Sequence, residues 1–387
     1  MTDHAWKRTP LANHCEVFSG YPFESSGFTD DPCDIPLVKG ENVGQGEILW
    51  DISRRWTRQG ADELERYKLV SGDVVLAMDR PWVPAGLKFA KITESAPEAL
   101  LVQRVARLRG RGGLVQDFLP HLIASPGFVA YVKNVGRGVG VPHISGKEIG
   151  AFEFLLPPEP VQRRIGSILS AYDNLIENNR RRMTLLEESA RLLYREWFVH
   201  LRFPGYEHTR IVDGVPQGWN RLPLEDALVL QRGFDLPKQD RQDGAVPIYG
   251  SSGILGHHDK AKASAPGVVT GRSGTLGEVQ YVAEDYWPLN TALWVKEFRR
   301  VPPLFALFLL REMDLRQYNG GASVPTLDRK SVHRVEVLIP PSLLLRSFDE
   351  FVAGVFAQIK NLNSQNQILR AARDLLLPRL MSGEIVV

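Results

Sequence analysis

Apolar positions recur three and four residues apart over two long stretches of this chain, and elsewhere they come in short β-branched runs cut by glycine. No Gly or Pro interrupts from Ser167 through Leu201, and Ile165, Ile168, Tyr172, Ile176, Asn179, Met183, Leu186, Ala190, Leu193 and Trp197 trace one stripe. That spacing predicts one amphipathic helix, which from Pro160 to His200 would extend roughly 60 Å. A second stripe, Phe348, Val352, Val355, Ile359, Leu362, Asn366, Leu369 and Leu376, repeats the design until Pro378 and Gly383 close it. A small domain cannot bury seams this long, so the helices are expected to pair within the chain as an antiparallel coiled coil. The polar seam residues Asn179 and Asn366 either fix register or are tolerated. Arg180, Arg181 and Arg182 face successive directions, as on a solvated helix face or one that touches phosphate or a partner subunit.

The segments around these helices carry an internal repeat. Trp6-Lys7-Arg8-Thr9-Pro10-Leu11 returns as Trp219-Asn220-Arg221-Leu222-Pro223-Leu224, with Gly20 and Gly233 following at the same interval. Val141-Pro142 leads through Lys147 and Glu153 to Leu155-Leu156-Pro157-Pro158, and Val324-Pro325 leads through Lys330 and Glu336 to Leu338-Ile339-Pro340-Pro341. The second copy is shorter by roughly 30 residues, a difference that varied loops on a common scaffold can absorb. Inside the copies, Asp73–Ala77, Gly267–Thr270 and Ala292–Val295 predict short strands, and Pro303–Leu310 a helix. The expected fold class is α+β: two mixed α/β domains separated by two long helices, with pseudo-two-fold symmetry. Expected boundaries are 1–158 for the first domain, 159–201 for the central helix, 202–218 for a linker, 219–341 for the second domain and 342–387 for the distal helix and tail.

Composition narrows the function only by exclusion. The chain has 387 residues, 43% of them hydrophobic and 24% charged, with a net charge of +2. No global basic footprint announces nucleic acid, so a DNA-facing surface would have to come from local arrangement. The start lacks the apolar core of a signal peptide, and no run approaches the roughly 18 apolar residues of a membrane span. A cytoplasmic location is expected, with Cys15 and Cys33 as free thiols.

Three stretches resemble a known family: Leu156-Pro157-Pro158-Glu159-Pro160-Val161-Gln162-Arg163-Arg164-Ile165, then Leu175-Ile176-Glu177-Asn178-Asn179, then Leu376-Leu377-Pro378-Arg379-Leu380-Met381-Ser382-Gly383-Glu384-Ile385. With the order domain, Pro-Pro, helix, domain, Pro-Pro, helix, the whole chain resembles the specificity subunit of type I restriction–modification systems. The second domain resembles that family's target-recognition domain at Pro247–Ile254, Thr270–Gly277 and Pro288–Thr291. The first departs from it, with Asp79 expected to align with Gly271 and Gln103-Arg104 with Asn290-Thr291, so the two copies should read different bases. The resemblance implies a non-catalytic subunit of a bacterium or archaeon that recognises a two-part double-stranded DNA site. It implies assembly with two methyltransferase subunits, and with restriction/translocase subunits in the full complex. S-adenosylmethionine, ATP and Mg are expected on those partners, and no cofactor or metal in this chain. The competing readings are a DNA-acting enzyme with an unrecognised active site and a duplicated protein-binding scaffold.

Chemistry-bearing patterns are sparse. Gly136-Arg137-Gly138-Val139-Gly140 has the glycines of a cofactor turn, but Val141-Pro142 blocks the helix that such a turn must open. The Pro-Pro pairs follow Leu, Val and Ile, not the Asn or Asp of a methyltransferase loop. His257-His258-Asp259 lacks a third metal ligand at a familiar spacing and is expected in a surface loop. Gly271–Gly277 is either a tight turn or an anion cradle in which Arg272 and Ser273 meet phosphate or a guanine edge. Arg54, Arg55 and Arg58 around Trp56, Arg80 with Trp82, and Lys39 are candidate backbone contacts. By motif position, Gln103, Arg104, Arg232, Tyr249, Ser251, Ser252, Asn290 and Thr291 are candidate base readers.

Overall fold

The structure is a computed structural model that describes residues 6–59, 61–135, 142–321 and 323–387. The chain divides into two compact units, one joining Met1–Asn178 to Gln365–Val387 and the other being Asn179–Ser364. Both cuts fall inside the long helices, so each unit holds one recognition domain and a segment of either helix.

In the first unit the β-branched runs form a four-stranded antiparallel sheet, ordered Phe89–Lys91, Val74–Ala77, Val105–Gly110, Cys15–Ser19. A second sheet is ordered Phe28–Thr29, Arg55–Trp56, Ile35–Val38, Ala99–Leu101, Lys68–Leu69 and contains one parallel pair, Ile35–Val38 with Ala99–Leu101. Leu76, Leu108, Phe118 and Phe128 build a core that takes Ile165 and Leu169 from the central helix and Leu377 and Leu380 from the distal one. The two helices run antiparallel here: Asp173 pairs with Arg373 at 2.6 Å, and Asn366 Nδ2 donates to the Ile176 carbonyl at 3.3 Å. Gln162, fully buried, ties the start of the central helix to the domain. Its Nε2 donates to the carbonyls of Gly113 and Pro157, and its Oε1 accepts from the Val115 N–H, each at 2.8 Å. Cys15 is buried and Cys33 exposed, both as free thiols.

The second unit repeats the plan with less chain. Its four-stranded sheet is ordered Leu228–Arg232, Ala292–Phe298, Gly267–Gly271, Val279–Val282, and its second sheet has three strands, Gly253–His258, Val246–Gly250 and Trp287–Pro288. The connection that spans residues 39–54 in the first unit is reduced here to Ser251-Ser252, which accounts for part of the length difference. The apolar helix Pro303–Glu312 lies in an aromatic core where Phe198 stands 4.9 Å from Phe305 and 5.0 Å from Phe348. The helices again run antiparallel, with Tyr194 and Phe198 of the central segment packed on Phe348 of the distal one.

The sequence repeat is a physical pairing. Lys7–Pro10 pairs antiparallel with Glu153–Leu156, and Asn220–Pro223 pairs in the corresponding register with Glu336–Ile339. Even the cross-strand ion pair recurs, Arg8 with Glu153 and Arg221 with Glu336.

Three helix details differ from the periodicity. The helix Ser342–Met381 runs past Pro378, because a proline so near the end removes a single N–H, and Gly383, in a left-handed conformation, completes the stop. The central α-helix, Glu159–Tyr194, widens into a π turn over Arg195–Val199. The buried centre of the seam is also offset from the predicted stripe: Leu169, Tyr194 and Phe198 are buried, while Ile168, Leu193 and Trp197 are only partly buried beside them. No helix among the described residues is long and apolar enough to cross a membrane.

Candidate nucleic-acid interface

Strands that end together bring loops from distant parts of the chain into one cluster in each unit. In the first, the Val102 N–H donates to the Val38 carbonyl, the Gln103 N–H to Tyr21, the Met78 N–H to Arg104 and the Arg80 N–H to Pro142. In the second, the corresponding bonds run from Leu289 to Tyr249, Asn290 to Phe234, Arg272 to Thr291 and Gly274 to Pro325. These bonds align Gln103 with Asn290 and Arg104 with Thr291, as the sequence suggests. They also correct one expectation: Ala77 lies opposite Val105 as Gly271 lies opposite Ala292, so Asp79 aligns with Ser273 and not with Gly271. The bridges from Asp79 to His143 and from Ser273 to Thr326 agree.

The cluster of the first unit is ionic. Lys39 lies 3.2 Å from Glu41, Lys88 donates to the Gly40 carbonyl, and Gln103 and Arg104 are exposed. Burial lowers the pKa of Lys88, with Arg80 adding repulsion and Glu41 opposing it, so Arg80 and the loop at Lys39 share one electrostatic neighbourhood. Arg80 occupies left-handed backbone at the position of Gly274. Trp82 carries the Lys133 ammonium 3.6 Å over its ring, so that face of the indole is already covered.

The arginines around Trp56 prove to be straps. Arg55 donates to the Asp34 carbonyl at 2.8 Å, and Arg58 to the Cys33 carbonyl at 2.7 Å and to Glu98 at 2.8 Å. Arg58 holds the end of the strand pair remote from Lys39, whereas Arg54, 3.6 Å from Asp30, lies at the near end; both side chains are more than half exposed.

The cluster of the second unit is mostly neutral and cross-braced. Arg272 donates to the Asn290 carbonyl at 2.7 Å, Asn290 Nδ2 donates to Asp235, and Arg232 pairs with Asp235 at 3.1 Å. Ser251 packs over Gly271 and Gly274; a Cβ on Gly271 would stand 1.9 Å from the Thr275 carbonyl oxygen. Gly271–Gly277 is therefore a tight turn. Two candidate readers point inward. Tyr249 packs in the core against Tyr286 at 5.9 Å, where burial raises its pKa. The Thr291 hydroxyl is buried, without a hydrogen-bond partner among the described residues. Motif position alone did not reveal that both side chains turn inward. His258 is likewise no surface residue: it ends the strand Gly253–His258, buried, and accepts from the Gln242 N–H at 3.1 Å. Among the described residues no group of three or more His, Cys, Asp or Glu could hold a metal ion. Gly136–Gly140 and Val141 lie outside the described residues.

Comparison with known proteins meets this geometry. The family described as "Type I restriction modification DNA specificity domain" matches residues 5–188. The type I restriction enzyme MjaIX specificity subunit of Methanocaldococcus jannaschii is 24% identical over 389 residues, 92% of this chain and 87% of that one. The chain is thus similar to type I restriction–modification specificity subunits along nearly its whole length. The EcoAI specificity subunit of Escherichia coli is 32% identical over 44% of this chain and 28% of its own length. The S subunit from M. genitalium shares the fold, with a TM-score of 0.57 at 14% identity over 98% of this chain and 97% of that one.

Asp79, His143 and Asp235 are the residues beside these loops that sequence reasoning did not single out as site residues: the two carboxylates pair with Arg104 and Arg232, and His143 pairs with Asp79.

Proposed function

We propose that this chain is the DNA-reading subunit of a type I restriction–modification complex, with one half of a two-part asymmetric site read by each recognition domain. The reading rests on one observation: the two loop clusters share their backbone hydrogen bonds position for position yet present different side chains. A common scaffold with a varied surface suits two unlike half-sites. Candidate contacts beside the two loop clusters are Lys39, Arg54, Arg80, Gln103 and Arg104 in the first domain, and Arg232, Ser251, Ser252, Ser273 and Asn290 in the second.

The helices would hold two methyltransferase subunits. Leu185, 68% exposed, and Leu192, 50% exposed, lie about two turns apart on one face of the central helix, and Leu343 and Phe351 are exposed on the distal one. Methyl transfer, translocation and cleavage, with S-adenosylmethionine, ATP and Mg, are assigned to partner subunits in the cytoplasm. Binding of the assembled methyltransferase complex to a randomised duplex library tests the reading. A two-part consensus is expected; binding without sequence preference contradicts it.

A further inference from the structure

Asp79, His143 and Arg104 form a group of ionisable side chains that the second domain lacks. Asp79 Oδ1 lies 2.6 Å from His143 Nδ1 and 3.8 Å from Arg104 Nη1. Their equivalents by backbone bonding are Ser273, Thr326 and Thr291, all uncharged, and the bridge between the first two is formed in both domains. The fold therefore does not need these three side chains, since the same backbone stands without them.

Arg104 is also conformationally costly. Its φ of 70° is left-handed, a region that residues other than glycine rarely adopt, and it is held there from both sides. Its carbonyl accepts from the Met78 N–H at 2.8 Å, and the preceding Gln103 N–H donates to Tyr21 at 2.8 Å. Strain of this kind persists where the surroundings over-determine it, and it clusters at functional sites. The result is an exposed guanidinium whose only ion pair among the described residues is the one to Asp79, so the Nε–Nη2 edge remains for a planar pair of acceptors. Guanine presents such a pair in the major groove, O6 and N7. A phosphate is the poorer partner, because the Asp79 carboxylate beside the arginine repels it.

We propose that Arg104 reads a guanine in the half-site of the first domain, with Asp79 and His143 as positioning residues. The inference rests on the DNA-reading function above. His143 donates through Nδ1 to Asp79 and steadies the carboxylate, which in turn orients Arg104.

The test uses the complex of this chain with its methyltransferase subunits, selected against a randomised duplex library, for wild type, Arg104→Ala, Arg104→Gln and Asp79→Asn. In wild type one position of one half-site should prefer guanine over adenine by roughly tenfold or more. Arg104→Ala should flatten that position alone, Arg104→Gln should move it toward adenine, and Asp79→Asn should weaken the same preference. The other half-site should be unchanged in all three, which also reports an intact fold. Uniform weakening at every position, the signature of a phosphate contact, overturns the proposal, and so does a sensitive position without guanine. A selective wild type indifferent to Arg104 overturns this inference alone; a wild type without preference overturns the DNA reading together with it.

Discussion

A methyl group on Gly20 would stand 2.3 Å from the Val102 carbonyl, and one on Gly233 would stand 2.2 Å from the Leu289 oxygen. These two glycines let one loop of the interface pass directly over another, and they were among the first repeated positions visible in the sequence. Gly233→Ala is expected to destabilise the second domain by about 1–3 kcal/mol in chemical denaturation, because the contact is with backbone that cannot rotate away. A titratable residue sets a second expectation. Burial pushes the His121 pKa down to about 4, with Asp173 opposing the shift. Between that value and about 6.5 the unfolded chain binds a proton that the folded chain does not, so stability is complete above that window and falls as pH drops through it. Roughly 3 kcal/mol should be lost between pH 7 and pH 4 through this group, and His121→Gln should remove most of that dependence. Other single residues were not legible. Nothing local to Tyr249 or Thr291 shows that its side chain turns inward, and the partners of Asp79 lie at His143 and Arg104, far along the chain.

The elements were legible wherever periodicity is long or a pattern is repeated. Both helices follow from spacing, because a 3.6-residue stripe sustained for many turns has one physical solution, and internal similarity marked the segments that prove to be paired edge strands. The π turn at Arg195–Val199 and the passage through Pro378 were not, since each depends on packing that offsets a local penalty. Gln162 belongs at this scale, because it joins helix to domain. Gln162→Ala leaves two buried carbonyls and one N–H without their partner and should cost about 3 kcal/mol or more, read as a lowered midpoint in urea. Leu185→Asp with Leu192→Asp should leave the midpoint nearly unchanged. The pair should weaken methyltransferase assembly tenfold or more by gel filtration or calorimetry, and retained assembly would place docking elsewhere.

For the whole molecule, the repeat is the central fact. One backbone plan, with corresponding edge-strand registers and equivalent loop bonds, occurs twice with unlike side chains, ionic in the first cluster and cross-braced and mostly neutral in the second. A duplicated scaffold that bound only protein would give no reason for a cationic, partly strained cluster at Arg80 and Arg104. The weak net charge of +2 concealed this, because local acidic partners such as Glu41, Asp79 and Asp235 cancel the arginines and lysines in any count along the chain. The most direct measurement is methylation mapping in cells that carry the complete system, once with this chain and once with its first recognition domain exchanged for that of a relative. A two-part methylated site with unlike halves, of which the exchange alters one and leaves the other intact, is the predicted result. Methylation without a two-part site, or an exchange that alters both halves or neither, would contradict it.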